Sequence, residues 1–445
     1  MELTEAEYKT SLATLADYLK IRSVPHSPAG VKAAVDFLQK LITGLGGTVQ
    51  VLDNKGHVPV LYAHFCADEP AARTLLFYDH YDVLDAGDLD EWASDPFLPE
   101  VRDGILYARG TSDNKGSLIQ RLTAVAKLRR AHALHCNVTF FIEGEEETGS
   151  CHIESTLAAH PALFACDACI WEFGSRDARG NVELFAGVKG LLYVELTCVT
   201  ADVDIHAMFG GAIEGANDRM IKALATLKNP AGRVRIPHFY DSIAAEMRPR
   251  LLMSVDKLPL TRADLQAAYG LRQPLHVGSD AQLRKRLTFA PTLTVSGLAG
   301  GYTGPGQKSI VPRLATAKLD IRLARQQDPV EVERQLRQYL AAGGFSDIGI
   351  TVLEAQPGSG LDDLDDPFLA LVAKTAATAY HSNVITYPVS FGTGPFYLFK
   401  RYLHVPIVST GVGWLKENAH GPNESIRLAD YRLGIGHMLA VLASF

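Results

Sequence analysis

Two stretches of this chain alternate short apolar runs with helical patterns, and the stretch between them does not. In the first, Val49–Leu52, Val58–Ala63 and Thr74–Tyr78 have the length and composition of strands. Thr4-Glu5-Ala6-Glu7 is a capping-box pattern that opens a helix through about Leu19. A second helical pattern covers Val31 to Leu45 and stops at Gly46-Gly47. A further helix is expected from Lys115 to about Arg130, then strands at Asn137–Ile142 and Ala168–Trp171. From Asp365 to Phe445 the alternation returns. Strands alternating with helices predict an α/β fold, here a mostly parallel sheet flanked by helices.

The middle reads differently. Near Val188 the pattern changes to a long half-buried strand, Leu191–Thr200, and a helix, Ala212–Leu227. Residues 228–290 are rich in Pro, Arg and Leu and show no clear period. Thr292–Val295, Ile310–Leu323 and Ile348–Leu353 read as strands, and Pro329–Tyr339 as a helix. This is α+β in flavour, with Gln356-Pro357-Gly358-Ser359-Gly360 as an exit linker. The expectation is one α/β domain built from 1–187 and 359–445, split by a smaller inserted α+β domain at 188–358. The 445 residues would allow two or three domains at roughly 150 residues each; the pattern favours two.

Charge narrows the function. Lys+Arg number 43 against 50 Asp+Glu, a net charge of -7. That lacks the basic footprint of a nucleic-acid binder. No apolar run approaches the roughly 18 residues of a membrane span. The start, Met-Glu-Leu-Thr-Glu-Ala-Glu, is acidic and unlike a signal peptide. Six cysteines in so long a chain are not a disulfide framework. A cytoplasmic protein with no membrane or nucleic-acid partner is expected.

Five segments carry chemistry. In Tyr78-Asp79-His80-Tyr81-Asp82-Val83 a strand ends with His80 and Asp82 two apart, on one face. His80 can ligate a metal while Asp82 accepts the proton of its other ring nitrogen; a surface turn is the plainer reading. In Gly110-Thr111-Ser112-Asp113-Asn114-Lys115-Gly116, Asp113 can bridge two metals or simply cap a helix. Glu143-Gly144-Glu145-Glu146-Glu147-Thr148-Gly149-Ser150 follows an apolar strand. Acidic runs are usually solvated faces, but like charges at a sheet end are costly without a cation or a proton. One Glu can then be a ligand and its neighbour a general base. Cys169-Ile170-Trp171-Glu172 is another strand ending in a carboxylate, and Ala419-His420-Gly421-Pro422-Asn423-Glu424 a loop His before the last helix. Together these loops offer His, Asp, Glu and His where open α/β sheets place ligands, at the carboxyl ends of strands. The set suits zinc or a similar divalent ion, and two ions need a bridging carboxylate.

The order HxDV, GxxDNKG, EGxEExGS, a strand-end acid and AHxPNE resembles the dinuclear zinc metallopeptidases. That family includes carnosinase-type dipeptidases, carboxypeptidase G, aminoacylases and succinyl-diaminopimelate desuccinylase. The resemblance covers most of the chain, and it gives 1–187 with 359–445 the role of catalytic domain and 188–358 that of lid or dimerisation domain. It implies two divalent ions, zinc with manganese or cobalt as alternatives. His80 and Glu172 would hold one, Glu147 and His420 the other, with Asp113 between them. Glu146 would be the general base and Asp82 the residue orienting His80. Because three glutamates are adjacent, a shift to Glu145 and Glu146 is the competing register. In the insertion, Asp204-Ile205-His206-Ala207-Met208-Phe209-Gly210-Gly211 resembles the family's lid. Its His206 would help polarise the scissile carbonyl across a homodimer. Arg322 matches a lid arginine that binds a substrate carboxylate. Phe391-Gly392-Thr393-Gly394-Pro395 resembles the Gly-Thr substrate loop, which brings in Gly392 and Thr393.

Within the family the chain shows mixed affinities. Ile236–Asp241, the long lid and Lys308–Arg313 resemble the dipeptidase branch. Glu172 stands where that branch usually has Asp, and its Arg-Glu-Gly-Gly-Ser loop gives way to Phe391–Pro395. The leading expectation is a two-metal peptidase acting on dipeptides or short peptides. An N-acyl-amino-acid amidohydrolase or a carboxypeptidase is the alternative within the class. A non-catalytic binding protein on the same fold is the alternative outside it. Cys166-x-x-Cys169 reads as part of a buried strand, and no G-x-S-x-G elbow, Walker A loop or G-x-G-x-x-G fingerprint is present.

Overall fold

The computed structural model describes residues 3–53, 57–69, 72–243 and 247–445. Met1 and Glu2 of the acidic start lie outside them, as do residues 244–246 of the stretch without a period. The described chain divides into two compact units. The first holds Met1–Gly187, Gly360–Val389 and Pro395–Phe445; the second holds Val188–Ser359 and Ser390–Gly394.

The first unit is organised by a sheet of nine strands among the described residues. Its order is Thr48–Leu52, Val60–Phe65, Asn137–Glu143, Thr74–His80, Ala168–Trp171, Ile407–Ser409, Val182–Phe185 and Val384–Tyr387, with Ser175–Arg176 beside Val182–Phe185. The four central strands, Asn137–Glu143 to Ile407–Ser409, run parallel. They are buried on both faces, which is why they read as unbroken apolar runs. Antiparallel pairs occur on either side, Thr48–Leu52 with Val60–Phe65 and Val60–Phe65 with Asn137–Glu143 on one, Ile407–Ser409 with Val182–Phe185 on the other. The sheet is therefore mixed, parallel at the centre.

Strand alternation splits the core in two. Leu75, Phe77, Phe140 and Ile170 pack with the helices Lys115–Arg130, Pro367–Tyr380 and Leu428–Ser444. The neighbouring Tyr78, Phe141 and Trp171 form an aromatic cluster with Phe164 and Phe399. The first helix, Glu5–Leu19, closes its start as expected. Thr4 N–H donates to Glu7 Oε2 at 2.9 Å and Glu7 N–H to Thr4 Oγ1 at 3.3 Å.

The second unit is a four-stranded antiparallel sheet in the order Thr292–Gly300, Leu314–Leu323, Gly190–Val199, Gly349–Gln356. Helices Ala216–Leu227 and Pro329–Ala342 pack on it and share its core. The expected strand 310–323 is broken at Pro312. Its first part, Ile310–Val311, pairs instead with Ile205–His206. The stretch without a period contains helices Pro249–Asp256, Arg262–Tyr269 and Asp280–Phe289. Ser390–Gly394, which the sequence pattern grouped with the C-terminal part, packs with this unit. Among the described residues no helix is long and apolar enough to cross a membrane.

Candidate active site

The carboxyl ends of the parallel strands deliver the first groups. Thr74–His80 ends in His80, which is fully buried, and Ala168–Trp171 is followed by the buried Glu172. His80 Nε2 lies 2.9 Å from Asp113 Oδ1 and 3.4 Å from Glu172 Oε2. On the other side of Asp113, Oδ2 lies 3.1 Å from His420 Nε2. The same His420 nitrogen is 3.3 Å from Glu147 Oε2. Asp113 thus presents one oxygen to each of two imidazoles, and each imidazole has its own glutamate. All of these residues belong to the first unit.

Asp82 joins the two halves. Its Oδ1 sits 3.2 Å from His80 Nδ1, and its Oδ2 accepts from Glu147 N–H at 3.0 Å. The hydrogen bond of His80 Nδ1 goes to the Asp82 backbone oxygen at 3.1 Å, so Asp82 holds the ring of His80 through its carbonyl and the backbone of Glu147 through its carboxylate. Two of the three adjacent glutamates point to different places. Glu147 faces His420, whereas Glu145 Oε2 lies 2.6 Å from His152 Nδ1. Glu146 lies between them in the chain and feels the charges of His80, Asp113, Asp82 and His420.

Burial dominates the electrostatics. It pushes Glu146 up to about 7 and, with Asp113 adding to it, Glu147 up to about 9. Glu172 is held well above the carboxylate range by burial and by Glu146. Burial acts the same way on Asp113, but the hydrogen bonds of His420 and His80 outweigh it and hold Asp113 far below the usual value. The hydrogen bond to Asp113 raises His420 to about 9. Four carboxylates around two imidazoles cannot all ionise in a buried site without further positive charge. Glu172 Oε2 makes this concrete, since it is buried and makes no hydrogen bond. Its lone pairs, the paired oxygens of Asp113 and the two imidazoles are a donor set that divalent cations fit. Asp113, Glu147 and His420 offer ligand atoms within 4.8 Å of one another.

Several groups that hold this arrangement were not singled out in the sequence. Glu424 is buried and accepts from Arg109 Nη1, Gly110 N–H and Ser112 N–H, each at 2.9 Å, and from Asp113 N–H at 3.1 Å. It thereby shapes the loop that presents Asp113. Asn114 Nδ2 donates to Glu172 O at 3.1 Å, and Asn114 Oδ1 accepts from His80 N–H at 3.3 Å. Arg121, fully buried, donates to the backbone oxygens of Tyr78, Trp171, Glu172 and Thr410 and to Asp79 Oδ1. It ties together the strand ends that carry His80 and Glu172. Only the position of Glu424, four residues after His420 in a loop, hinted at its role.

The remaining expected residues lie in the second unit. Arg322 Nη1 donates to Thr393 Oγ1 at 2.9 Å, and Lys189 N–H donates to Gly392 O at 3.0 Å. Arg322, Thr393 and Gly392 therefore form one local group. Asp320 adds to it, accepting two hydrogen bonds from the Arg322 guanidinium at 2.9 Å. His206 is exposed, and its Nδ1 accepts from Met208 N–H at 3.1 Å.

Imidazoles and carboxylates paired about a shared aspartate are the equipment of a metal-dependent hydrolase. Residues 76–444 match the peptidase family M20/M25/M40, and the chain belongs to that family. It is an enzyme that hydrolyses peptide bonds, in a metallopeptidase family that includes a dinuclear metal-binding member. The chain is 26% identical over 419 residues to the Cys-Gly metallodipeptidase dug1 of Schizosaccharomyces pombe, covering 90% of this chain and 87% of that one. It is 26% identical over 396 residues to the Beta-Ala-His dipeptidase of Mus musculus, covering 84% and 77%. Its fold superposes on an M20 family metallo-carboxypeptidase from Sulfolobus solfataricus with a TM-score of 0.91, at 32% identity and 99% coverage of each chain.

Proposed function

We propose that this enzyme cleaves dipeptides or short peptides with two zinc ions. The observation that carries the reading is Asp113, with one oxygen at His80 and the other at His420. In this reading His80 and Glu172 hold one ion, Glu147 and His420 the other, and Asp113 bridges them. Bound there, the ions would supply a water acidic enough to attack at neutral pH and would polarise the scissile carbonyl. Glu146 takes the water's proton and passes it to the leaving amine. Burial raises the Glu146 carboxyl, which works against the pull of nearby cations and favours a group able to accept and return a proton. The contrasting directions of Glu145 and Glu147 support placing the base at Glu146. Asp82 orients His80.

The second unit supplies substrate recognition in this proposal. Arg322, backed by Thr393 and Gly392, receives the substrate carboxylate, and Asp320 holds the guanidinium in place meanwhile. His206 reaches the partner's site in a homodimer built through this unit; its exposure leaves it available. Six cysteines without a disulfide suit a cytoplasmic setting. The named dipeptidase relatives favour dipeptides. A carboxypeptidase is the second reading, favoured by Glu172 and by the 32% identical archaeal metallo-carboxypeptidase. A panel of dipeptides, longer peptides and N-acyl amino acids, assayed with and without chelator, decides. Cleavage of dipeptides that chelator abolishes and zinc restores is expected. Cleavage of N-acyl amino acids alone would remove the dipeptidase reading.

A further inference from the structure

Glu145 sits next to the acidic pair in sequence but is engaged elsewhere. Its Oε2 lies 2.6 Å from His152 Nδ1. His57, from the connection between Thr48–Leu52 and Val60–Phe65, lays its ring on His152 with centroids 3.9 Å apart. One ligand atom from each of His57, Glu145 and His152 lies within 4.8 Å of the other two. The three come from separate segments: an early loop, the turn after Asn137–Glu143, and the residue that precedes helix Ile153–Ala159.

An ion pair explains Glu145 and His152 alone. It does not involve His57, whose ring is stacked on that of His152. A shared cation would engage all three, since each offers a ligand atom within 4.8 Å of the other two. Two His and one carboxylate are the protein ligands of three-ligand zinc sites, which leave a position for water. Imidazole donors select zinc, copper or nickel over calcium or magnesium. The side chains of Glu145 and His152 keep 15% and 27% of their exposure, so an ion can enter from solvent.

We propose that His57, Glu145 and His152 bind a further zinc ion, separate from the centre at Asp113. The site adjoins Glu146 in the chain, so its ion would brace the turn that carries Glu146 and Glu147.

Zinc per chain, counted by elemental mass spectrometry after equilibration at a buffered free-zinc concentration, tests it. The wild-type protein should carry one equivalent more than His57→Asn, and His152→Gln should lose that same equivalent. Circular dichroism establishes that both variants are folded. The double variant should lose no more than either single one. Asp113→Asn should lose zinc from the central site and keep the further ion, so a failure of the two-ion reading shows itself in that variant alone. Equal zinc in the wild-type protein and folded His57→Asn overturns the proposal. So does an equivalent that His57→Asn loses and His152→Gln keeps.

Discussion

Arg109 and Glu424 in the first unit, and Arg219 and Asp347 in the second, are chemically the same pair in opposite surroundings. The first pair is 2.9 Å apart with 3% and 1% of its side-chain surface exposed. The second meets in solvent, with Asp347 43% exposed. The contrast extends to the functional groups. His80, Asp82 and Glu172 are buried, with Asp82 Oδ2 held by Glu147 N–H and Glu172 Oε1 by Trp171 Nε1–H, and of this group's neighbours His420 alone is open, at 58%. In the second unit His206 is exposed and Arg322 about one-third exposed. A metal centre needs donors fixed before the ion arrives, which burial and mutual hydrogen bonding supply. A substrate contact needs a group that solvent, and then substrate, can reach. Damage to the first unit should therefore appear in metal content, kcat and stability, and damage to the second in KM.

The largest effect should come from Glu146→Gln. We expect kcat to fall by about 10²–10⁴-fold, the share general base catalysis typically contributes, with metal content unchanged. Activity near wild type would move the base elsewhere. Next comes Glu424→Gln. It leaves the Arg109 guanidinium buried beside a neutral amide, and breaking a buried pair typically costs about 3–5 kcal/mol. Urea unfolding should show that loss, together with weaker metal retention through the slackened Asp113 loop. A change under about 1 kcal/mol would mean that Glu424 holds nothing in place.

Acid should find the first unit through His437, which burial depresses to about 4. Below about 6.5 the unfolded chain binds this proton and the folded chain does not. Stability is thus fully present above that pH and falls as pH drops towards 4, by up to about 3 kcal/mol across the window. Unfolding curves between pH 4.5 and 7 should be flatter for His437→Leu than for the wild-type protein. Parallel curves would remove the assignment.

In the second unit, Arg322→Ala should raise KM by about 10–100-fold, the worth of a charged hydrogen bond of about 1.5–3 kcal/mol, and leave metal content alone. A loss confined to kcat would break the division of labour. The smallest effect belongs to Asp347→Asn. Solvent screens that pair, so a stability change below about 1 kcal/mol is expected. A loss as large as that of Glu424→Gln would show that burial is not what separates the two pairs.

How legible each element is follows from how local its cause is. Lys115–Arg130 and Ala168–Trp171 are found at their observed bounds from the sequence because composition and flanking loops define them. The helices Pro249–Asp256, Arg262–Tyr269 and Asp280–Phe289 are short, eight to ten residues, and too brief to build a period. The antiparallel flanks of the sheet are also silent in sequence, because a strand's pattern records its burial and not its neighbour's direction. Gly392 and Thr393 were visible as a motif, but their segment's attachment to the second unit was not.

The order of strands, helices and motif loops lies in the sequence itself, because periodicity, capping and strand-end His and acid residues act over a few positions. So does membership of a two-metal hydrolase class, since the residue types and their order carry it. Which oxygen of Asp113 meets which imidazole is a tertiary matter. So are the parting of Glu145 from Glu147 and the grip of Glu424 on Arg109, 315 residues away. Those contacts join groups far apart in the chain, and only closing the fold brings such groups within hydrogen-bonding range.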